Sequence, residues 1–314
     1  MKFKAFLTDN GINLLEKRIL PALDKTGKIC HLYLTPDHAF FLHNLLNSDG
    51  PQSIAQFQVP SLFHDYRISS QNDDVIAFSI DLSLLHRALR SILTVNSHSN
   101  PIQIKLVKKL PPQSTQPTPF LTFEAKGHKS AVVHDVPVSK PLSRADVREL
   151  QLALDSAQQM PETLVKAPEL NLLQNFVDRM KHVGDVIRVS ISKYGDLHLQ
   201  ISTTLITLGA EFRKLVVLGE RADGADGGDQ GLSAQSRTER AVQRGDAMSV
   251  QVSVKHFFKC LQSSLAKPDC AFYGIAPQGA CLIVIFQFFV PGTRQTDKSI
   301  SLHCRLPVLD SGSS

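Results

Sequence analysis

Lys255, Lys259 and Gln262 stand at i, i+4 and i+7 within 253–267 (SVKHFFKCLQSSLAK), so a helix there presents them on one side. The other side is apolar: Val254, Phe257, Phe258, Leu261 and Leu265. The same division recurs three times. In 81–95 (DLSLLHRALRSILTV), His86, Arg87 and Arg90 oppose Leu82, Leu85, Leu89 and Ile92. In 168–182, Asn175, Arg179 and His182, with Lys181 nearby, oppose Leu170, Leu173, Val177 and Met180. After an opening strand at 1–7, Lys17, Arg18 and Lys25 oppose Ile12, Leu15, Ile19 and Ala22. The chemistry such rows offer is charge neutralisation, because their heads can ion-pair with successive negative groups of a polyanion. Any one row alone reads as the solvated face of an ordinary surface helix. Four rows in one chain point further. The windows 9–28, 81–96, 168–182 and 253–267 together carry the whole net charge of +5.

Residue types suited to covalent or metal chemistry are present, but not in working patterns. Gly224–Gly231 (GADGGDQG) is glycine-rich, yet no Gly-Lys-Ser/Thr follows it and no strand–helix frame surrounds it. His134-Asp135 lies in an extended stretch with no nucleophile motif beside it, and reads as part of an edge strand. The 12 histidines show no HExxH or other ligand spacing, and Asp73-Asp74 reads as an exposed turn. The five cysteines, at 30, 260, 270, 281 and 304, are odd in number and form no CxxC pair, which argues against a disulfide framework or zinc site. Reduced, buried thiols are expected instead. No catalytic constellation, metal site or cofactor site emerges.

With 314 residues, 42% hydrophobic and 20% charged, the chain can bury two ordinary cores. The surplus of 34 basic over 29 acidic residues is too small to indicate a nucleic-acid partner by itself. The opening MKFKAFLTDNG lacks the apolar core of a secretory signal. The most apolar stretch, 271–290, is interrupted by Pro277-Gln278-Gly279 and reads as a hairpin, so no membrane partner is expected.

The helices must be held by something, and the stretches between them read as strands and turns. Residues 1–130 form a first unit, with strand patterns at 29–34, 40–42, 53–57, 75–80, 102–107 and 120–125. Pro21 inside the first helix is expected to kink or interrupt it, which leaves the position of Lys25 open. The Pro-rich run 111–119 (PPQSTQPTP) reads as a surface loop. Residues 131–160 read as an inter-domain connector: extended VVHDVPV, then a short helix over 144–154. Residues 161–314 form a second unit, with a hairpin at 186–203 around KYGD and further strands at 206–212, 216–218, 248–252, 271–275, 280–289 and 300–306. Within it, 219–247 is rich in Gly, Asp and Arg and is expected to be a disordered insertion. The fold class is α+β: two units, each with two helices on antiparallel sheet, joined by an extended connector.

Specific segments accompany this order: MKFKAF at the start, LYLTPDHAFF, LLHRALRSIL, VVHDVPVSKPLSRADVREL and GDLHLQI. With them, nearly the whole chain resembles the Hus-one subunit of the DNA-damage checkpoint clamp, within the PCNA-like sliding-clamp superfamily. That resemblance implies two clamp domains in a heterotrimeric ring with Rad-one and Rad-nine type subunits. It implies a clamp loader, a duplex DNA backbone contacted without sequence specificity, recruited repair and checkpoint proteins, and a nuclear location. It implies no catalysis and no cofactor. On it, Lys17, Arg18, Lys25, Arg87, Arg90, Arg179, Lys181, Lys255 and Lys259 are the DNA-facing set. Val132, Val133, Val136, Val138, Leu142 and Leu150 are the partner-binding set of the connector. Three other readings stand beside it: a homotrimeric PCNA-type processivity clamp, a two-domain α+β enzyme with an unrecognised site, and a protein scaffold that never encircles DNA.

Overall fold

The computed structural model describes all residues except 48, 96–100, 112–114, 127–130, 223–231 and 310–314. The first half runs β1 (Lys2–Leu7), α1 (Asp9–Leu14), a π turn (Leu15–Ile19), α2 (Leu20–Thr26), β2 (Ile29–Leu34), β3 (His38–His43), β4 (Gln52–Gln58), α3 (Val59–Leu62), β5 (Phe63–Ser69), β6 (Ile76–Asp81), α4 (Leu82–Val95), β7 (Ile102–Lys109), β8 (Thr118–Lys126) and β9 (Ala131–Pro137). After α5 (Arg144–Ala157), the second half runs β10 (Thr163–Lys166), α6 (Leu170–Met180), β11 (Val186–Ser192), β12 (Leu197–Ser202), β13 (Thr207–Phe212), β14 (Val217–Gly219), α7 (Ala234–Gln243), β15 (Ala247–Ser253), α8 (Val254–Leu261), β16 (Cys270–Ile275), β17 (Cys281–Gln287) and β18 (Ile300–Pro307).

Pro21 does not break the first helix. The π turn precedes it, and Pro21 falls at the start of α2, where its missing N–H matters least. The helix therefore continues, and Lys25 is carried on it in an exposed position. Thr8 caps the helix by accepting from the Gly11 N–H at 2.9 Å.

Three antiparallel sheets result. One has the order β5-β1-β7-β8-β9, and another β13-β12-β11-β15. The third, β14-β10-β16-β17-β18-β4-β3-β2-β6, crosses from one half of the chain to the other where β18 pairs with β4, from Ile300↔Phe57 to Arg305↔Gln52. The helices adjoin in the spatial order α4, α2, α8, α6. They bury Leu82, Leu85, Leu89 and Ile92, then Leu20 and Leu23, Val254, Phe257 and Leu261, and Leu173, Val177 and Met180 in one continuous core with the sheets. Each fully buried side chain of this kind contributes about 1.5–3 kcal/mol. Phe258 and Leu265, expected in the apolar stripe, are instead half-buried and 41% exposed; after Leu261 the helix tightens to a 3-10 turn (Gln262–Ala266), which rotates Leu265 outward.

The edge-strand reading of the extended stretch is met: residues 131–137 pair with β8 at the edge of the first half's sheet, and Pro137 is tolerated there because it stands at the end of an edge strand. One expectation is corrected. The insertion over 219–247 is ordered in its second part. Ser233 caps α7 by accepting from the Ser236 N–H, Ala241 is buried, and Arg237 pairs with Glu211 of β13, so polar contacts hold a segment that has almost no apolar stripe. Residues 223–231 lie outside the described residues.

The connector helix α5 is fixed by a capping box between Ser143 and Asp146. Its Val147, Leu150, Leu154 and Ala157 pack on Tyr33, Phe40, Leu42 and Ile54, the face of the long sheet away from the four-helix layer.

Candidate nucleic-acid interface

The four-helix layer turns its apolar stripes to the sheets and leaves its other side open. Lys17, Lys25, Arg87, Arg90, Arg179, Lys255 and Lys259 are all exposed on these helices. Arg90 approaches Glu16 at 3.7 Å, and Lys255 pairs with Asp185 at 3.1 Å, both with the cation side chain at least 66% exposed. Such surface pairs are weak and exchangeable, of order 0–1 kcal/mol, and leave the heads available. Among the described residues, Lys17, Lys25, Arg87, Arg179 and Lys259 have no acidic partner. His86 is half-buried, and its Nε2 lies 2.9 Å from the Glu16 main-chain oxygen, which ties α4 to the first helix.

Two members of the expected DNA-facing set do different work. The Arg18 Nε donates to the Ala266 carbonyl at 2.8 Å and its Nη2 to the Lys267 carbonyl at 2.7 Å. Its guanidinium also lies 4.9 Å from the Phe288 ring centre. Arg18 therefore locks the first helix to the end of the last one, across the two halves. Lys181 is half-buried: it pairs with Asp178 at 2.5 Å, and its ammonium sits 3.6 Å from the centre of the Phe258 ring. The Arg18 contacts have no local sequence signature, because their carbonyls come from the far half of the chain; for Lys181 the i,i+3 spacing to Asp178 is local, but the Phe258 ring belongs to another helix.

The connector set also divides. Val136 is 2% exposed and Leu150 0%, so both belong to the core and cannot greet a partner. Alternation on an edge strand turns Val136 inward, and the helical period turns Leu150 onto the sheet. Val132, Val138 and Leu142 are half-buried against the cores, and Val133 is 47% exposed. The side of α5 that faces outward carries Arg148, Glu149, Leu152 and Asp155.

His134-Asp135 occupies the edge strand as expected. Burial pushes the Asp135 carboxyl up, but the Lys109 ammonium at 2.7 Å and the Thr122 hydroxyl hold it below the usual carboxylate range. The five cysteines are free and buried. Burial raises the Cys260 thiol, whereas Cys304 is lowered, by contact with Cys260 first and by Ser263 and Ser53 as well. Among the described residues no cluster of three metal-binding side chains occurs, and no helix is long and apolar enough to cross a membrane.

Most sheet edges are covered or irregular. β6 is shielded by 138–142 through the Ser139 N–H to Ser79 O and Leu142 N–H to Ala77 O bonds. β15 receives the Leu309 N–H on Gln251 O, and β5 carries Asp65 at φ 46° beside a register shift in β1. Beside β14, an edge strand of only three residues, β9 and β13 remain as the longer regular edges. Just before β13 and within it, Leu205, Ile206 and Leu208 are 91%, 52% and 42% exposed. Exposed apolar side chains at a regular edge are a pairing surface.

A sequence model of the Hus1-like protein family matches residues 1–294. The chain belongs to the Hus1-like family. It is 27% identical over 273 residues to the checkpoint protein hus1 homolog of Dictyostelium discoideum, covering 86% of this chain and 88% of that one. Against checkpoint protein hus1 of Schizosaccharomyces pombe the identity is 26% over 201 residues, 63% of this chain and 66% of the relative. Against human checkpoint protein HUS1 it is 24% over 219 residues, 68% of this chain and 74% of the relative. In three dimensions the Hus1-like chain resembles the proliferating cellular nuclear antigen of Entamoeba histolytica, with a TM-score of 0.60, 10% identity, and 98% and 99% of the two chains covered. The fold is thus that of a PCNA-like clamp, as the two-unit pattern predicts. The connector helix and β13 edge described above are features of this Hus1-like chain within that fold.

Proposed function

We propose that this Hus1-like chain is a non-catalytic subunit of a ring-shaped checkpoint clamp that encircles duplex DNA in the nucleus. Rad-one and Rad-nine type subunits are its ring neighbours, a clamp loader places the ring, and the closed ring recruits repair and checkpoint proteins. The observation that carries this reading is the helix layer α4–α2–α8–α6, continuous across both halves, with exposed cations along its open side. Long flexible lysine and arginine heads on such a wall neutralise phosphates and read no bases. The Phe258 ring lies beneath Lys181, so it offers no open platform for stacking unpaired bases.

A closed ring holds DNA by topology, so weak contacts suffice and permit sliding. Closure needs a heterologous contact, one surface meeting a different surface on the next subunit. The β9 and β13 edges supply such a pair, with the apolar group Leu205, Ile206 and Leu208 completing the β13 side. The apolar groove beneath the connector is filled by α5 itself, so recruitment falls to the outward side of α5, with Leu152 at 64% exposure its apolar point.

The test replaces Lys17, Lys25, Arg87, Arg179 and Lys259 with glutamate in the assembled complex. Assembly is checked by mass, and retention is measured on loaded circular DNA. The proposal expects an intact ring whose loading or retention falls at least tenfold. Unchanged retention by an intact ring would remove the channel reading.

A further inference from the structure

The opening strand β1 turns Phe3, Ala5 and Leu7 into the core and Lys2, Lys4 and Phe6 onto the other face of the β5-β1-β7-β8-β9 sheet. Register places Lys4 directly opposite Arg67 of β5 on one side and Lys105 of β7 on the other. Like charges set opposite one another across strands cost stability, and a sheet selected for folding alone would place a carboxylate in the middle of that row. The two outer cations are relieved where they stand. Arg67 pairs with Asp65 of its own strand at 2.8 Å, a contact open to solvent, and Lys105 pairs with Glu124 of β8 at 2.7 Å. Lys2 and Lys4 are exposed and, among the described residues, have no acidic partner. Beside them lies a pair of rings. The Lys4 ammonium is 5.5 Å from the centre of the Phe6 ring, and Phe6 stacks on His64 of β5, with centroids 5.4 Å apart and planes 18° from parallel. Phe6 is half-buried and His64 exposed, so His64 is the outer ring of the stack.

We propose that this outer sheet face binds single-stranded nucleic acid, with Lys2 and Lys4 on phosphates and the His64–Phe6 stack receiving a base. Cations that repel one another in the free sheet are stabilised when a polyanion passes over them. The rings select among polyanions. An unpaired nucleobase has a π face to add to the stack, a duplex keeps its bases stacked on one another, and an acidic peptide brings carboxylates without rings. A flat sheet face that offers rings and cations side by side receives unpaired bases in the same way as the sheets of single-strand-binding modules. This face is the reverse of the one that packs on the helices, so it does not compete with the helix layer and does not depend on ring closure.

The experiment follows the fluorescence anisotropy of a labelled oligothymidylate, of its duplex with oligoadenylate, and of a polyglutamate peptide on addition of the full chain. Lys2→Gln/Lys4→Gln and His64→Ala alter this face, and Lys17→Gln/Lys259→Gln alters the helix layer; each is checked for folding by circular dichroism. The expected result is single-strand binding weakened about fivefold or more by either face variant and less than about twofold by the helix-layer variant. Loss of two phosphate contacts should also lower the salt slope of the double lysine variant by about 1.4. That variant should be no less stable to urea than the parent, as relief of like charges requires. Single-strand binding that ignores Lys2, Lys4 and His64, or that is lost only in the helix-layer variant, would overturn the proposal. Polyglutamate bound as tightly as oligothymidylate through the same lysines would overturn it in favour of an acidic peptide, and absence of single-strand binding would overturn it outright.

Discussion

Replacing Arg18 with alanine is expected to unfold the junction between the two halves rather than to loosen a grip on DNA. The side chain makes two charge-assisted bonds, at 2.8 and 2.7 Å, to the carbonyls of Ala266 and Lys267. These carbonyls end a 3-10 turn, where Lys267 adopts φ 53° and no following helical residue can satisfy them. Hydrogen bonds to a charged donor are each worth about 1.5–3 kcal/mol when dry, and a cation over an aromatic ring about 0.5–1 kcal/mol. Arg18 is half-buried, and solvent screens part of this, so Arg18→Ala is expected to cost about 2–3 kcal/mol. The neighbouring exposed Lys17→Ala should cost less than about 0.5 kcal/mol. Arg18→Lys, which keeps the charge but loses the fork, should fall between them. Urea unfolding followed by circular dichroism measures all three. The salt dependence of DNA binding by the assembled complex then separates the roles: Lys17→Ala should lower the slope and Arg18→Ala should not. An Arg18→Ala protein as stable as Lys17→Ala, with a lowered salt slope, would refute the reasoning.

Two further outcomes follow from buried Leu150 and half-buried His303. Leu150→Ala, which opens a hole between α5 and the long sheet, should cost about 3 kcal/mol, whereas the 64% exposed Leu152→Ala should stay within about 0.5 kcal/mol; equal costs in urea unfolding would show that α5 is not docked as described. Burial first, and Arg305 beside it, push His303 from 6.5 down to about 4. Between those values the unfolded chain binds the proton and the folded chain does not, so stability falls as pH drops through that window. At roughly pH 5 the loss from this group is about 2 kcal/mol relative to neutral pH, and His303→Gln should remove it; a parent protein equally stable at both pH values would contradict the assignment.

Much of the fold was legible because local and global preferences agree. β2 spans the expected residues 29–34, and the hairpin around KYGD forms between β11 and β12. The PQG turn is made by Gln278 and Gly279 at φ 58° and 72°. Elements that escaped reading lack an apolar period. β5 (FHDYRIS) alternates weakly and owes its place to pairing with β1, and α7 is held by a cap and an ion pair to a distant strand. The basic faces were visible from spacing alone. Spacing could not separate exposed Lys17 from Arg18 one residue on, because the acceptors of Arg18 come from the other half of the chain. Val136 and Leu150 misled for a related reason: an apolar residue in a connector looks like a binding surface until its own fold covers it.

The central claim is a subunit of a mixed ring, and light-scattering mass during gel filtration tests it most directly. The chain is measured alone and after co-expression with Rad-one and Rad-nine type subunits. A species near 34.6 kDa alone that enters a one-to-one-to-one complex is the predicted result. A stable assembly of three copies of this chain by itself would contradict it and support a homotrimeric processivity clamp.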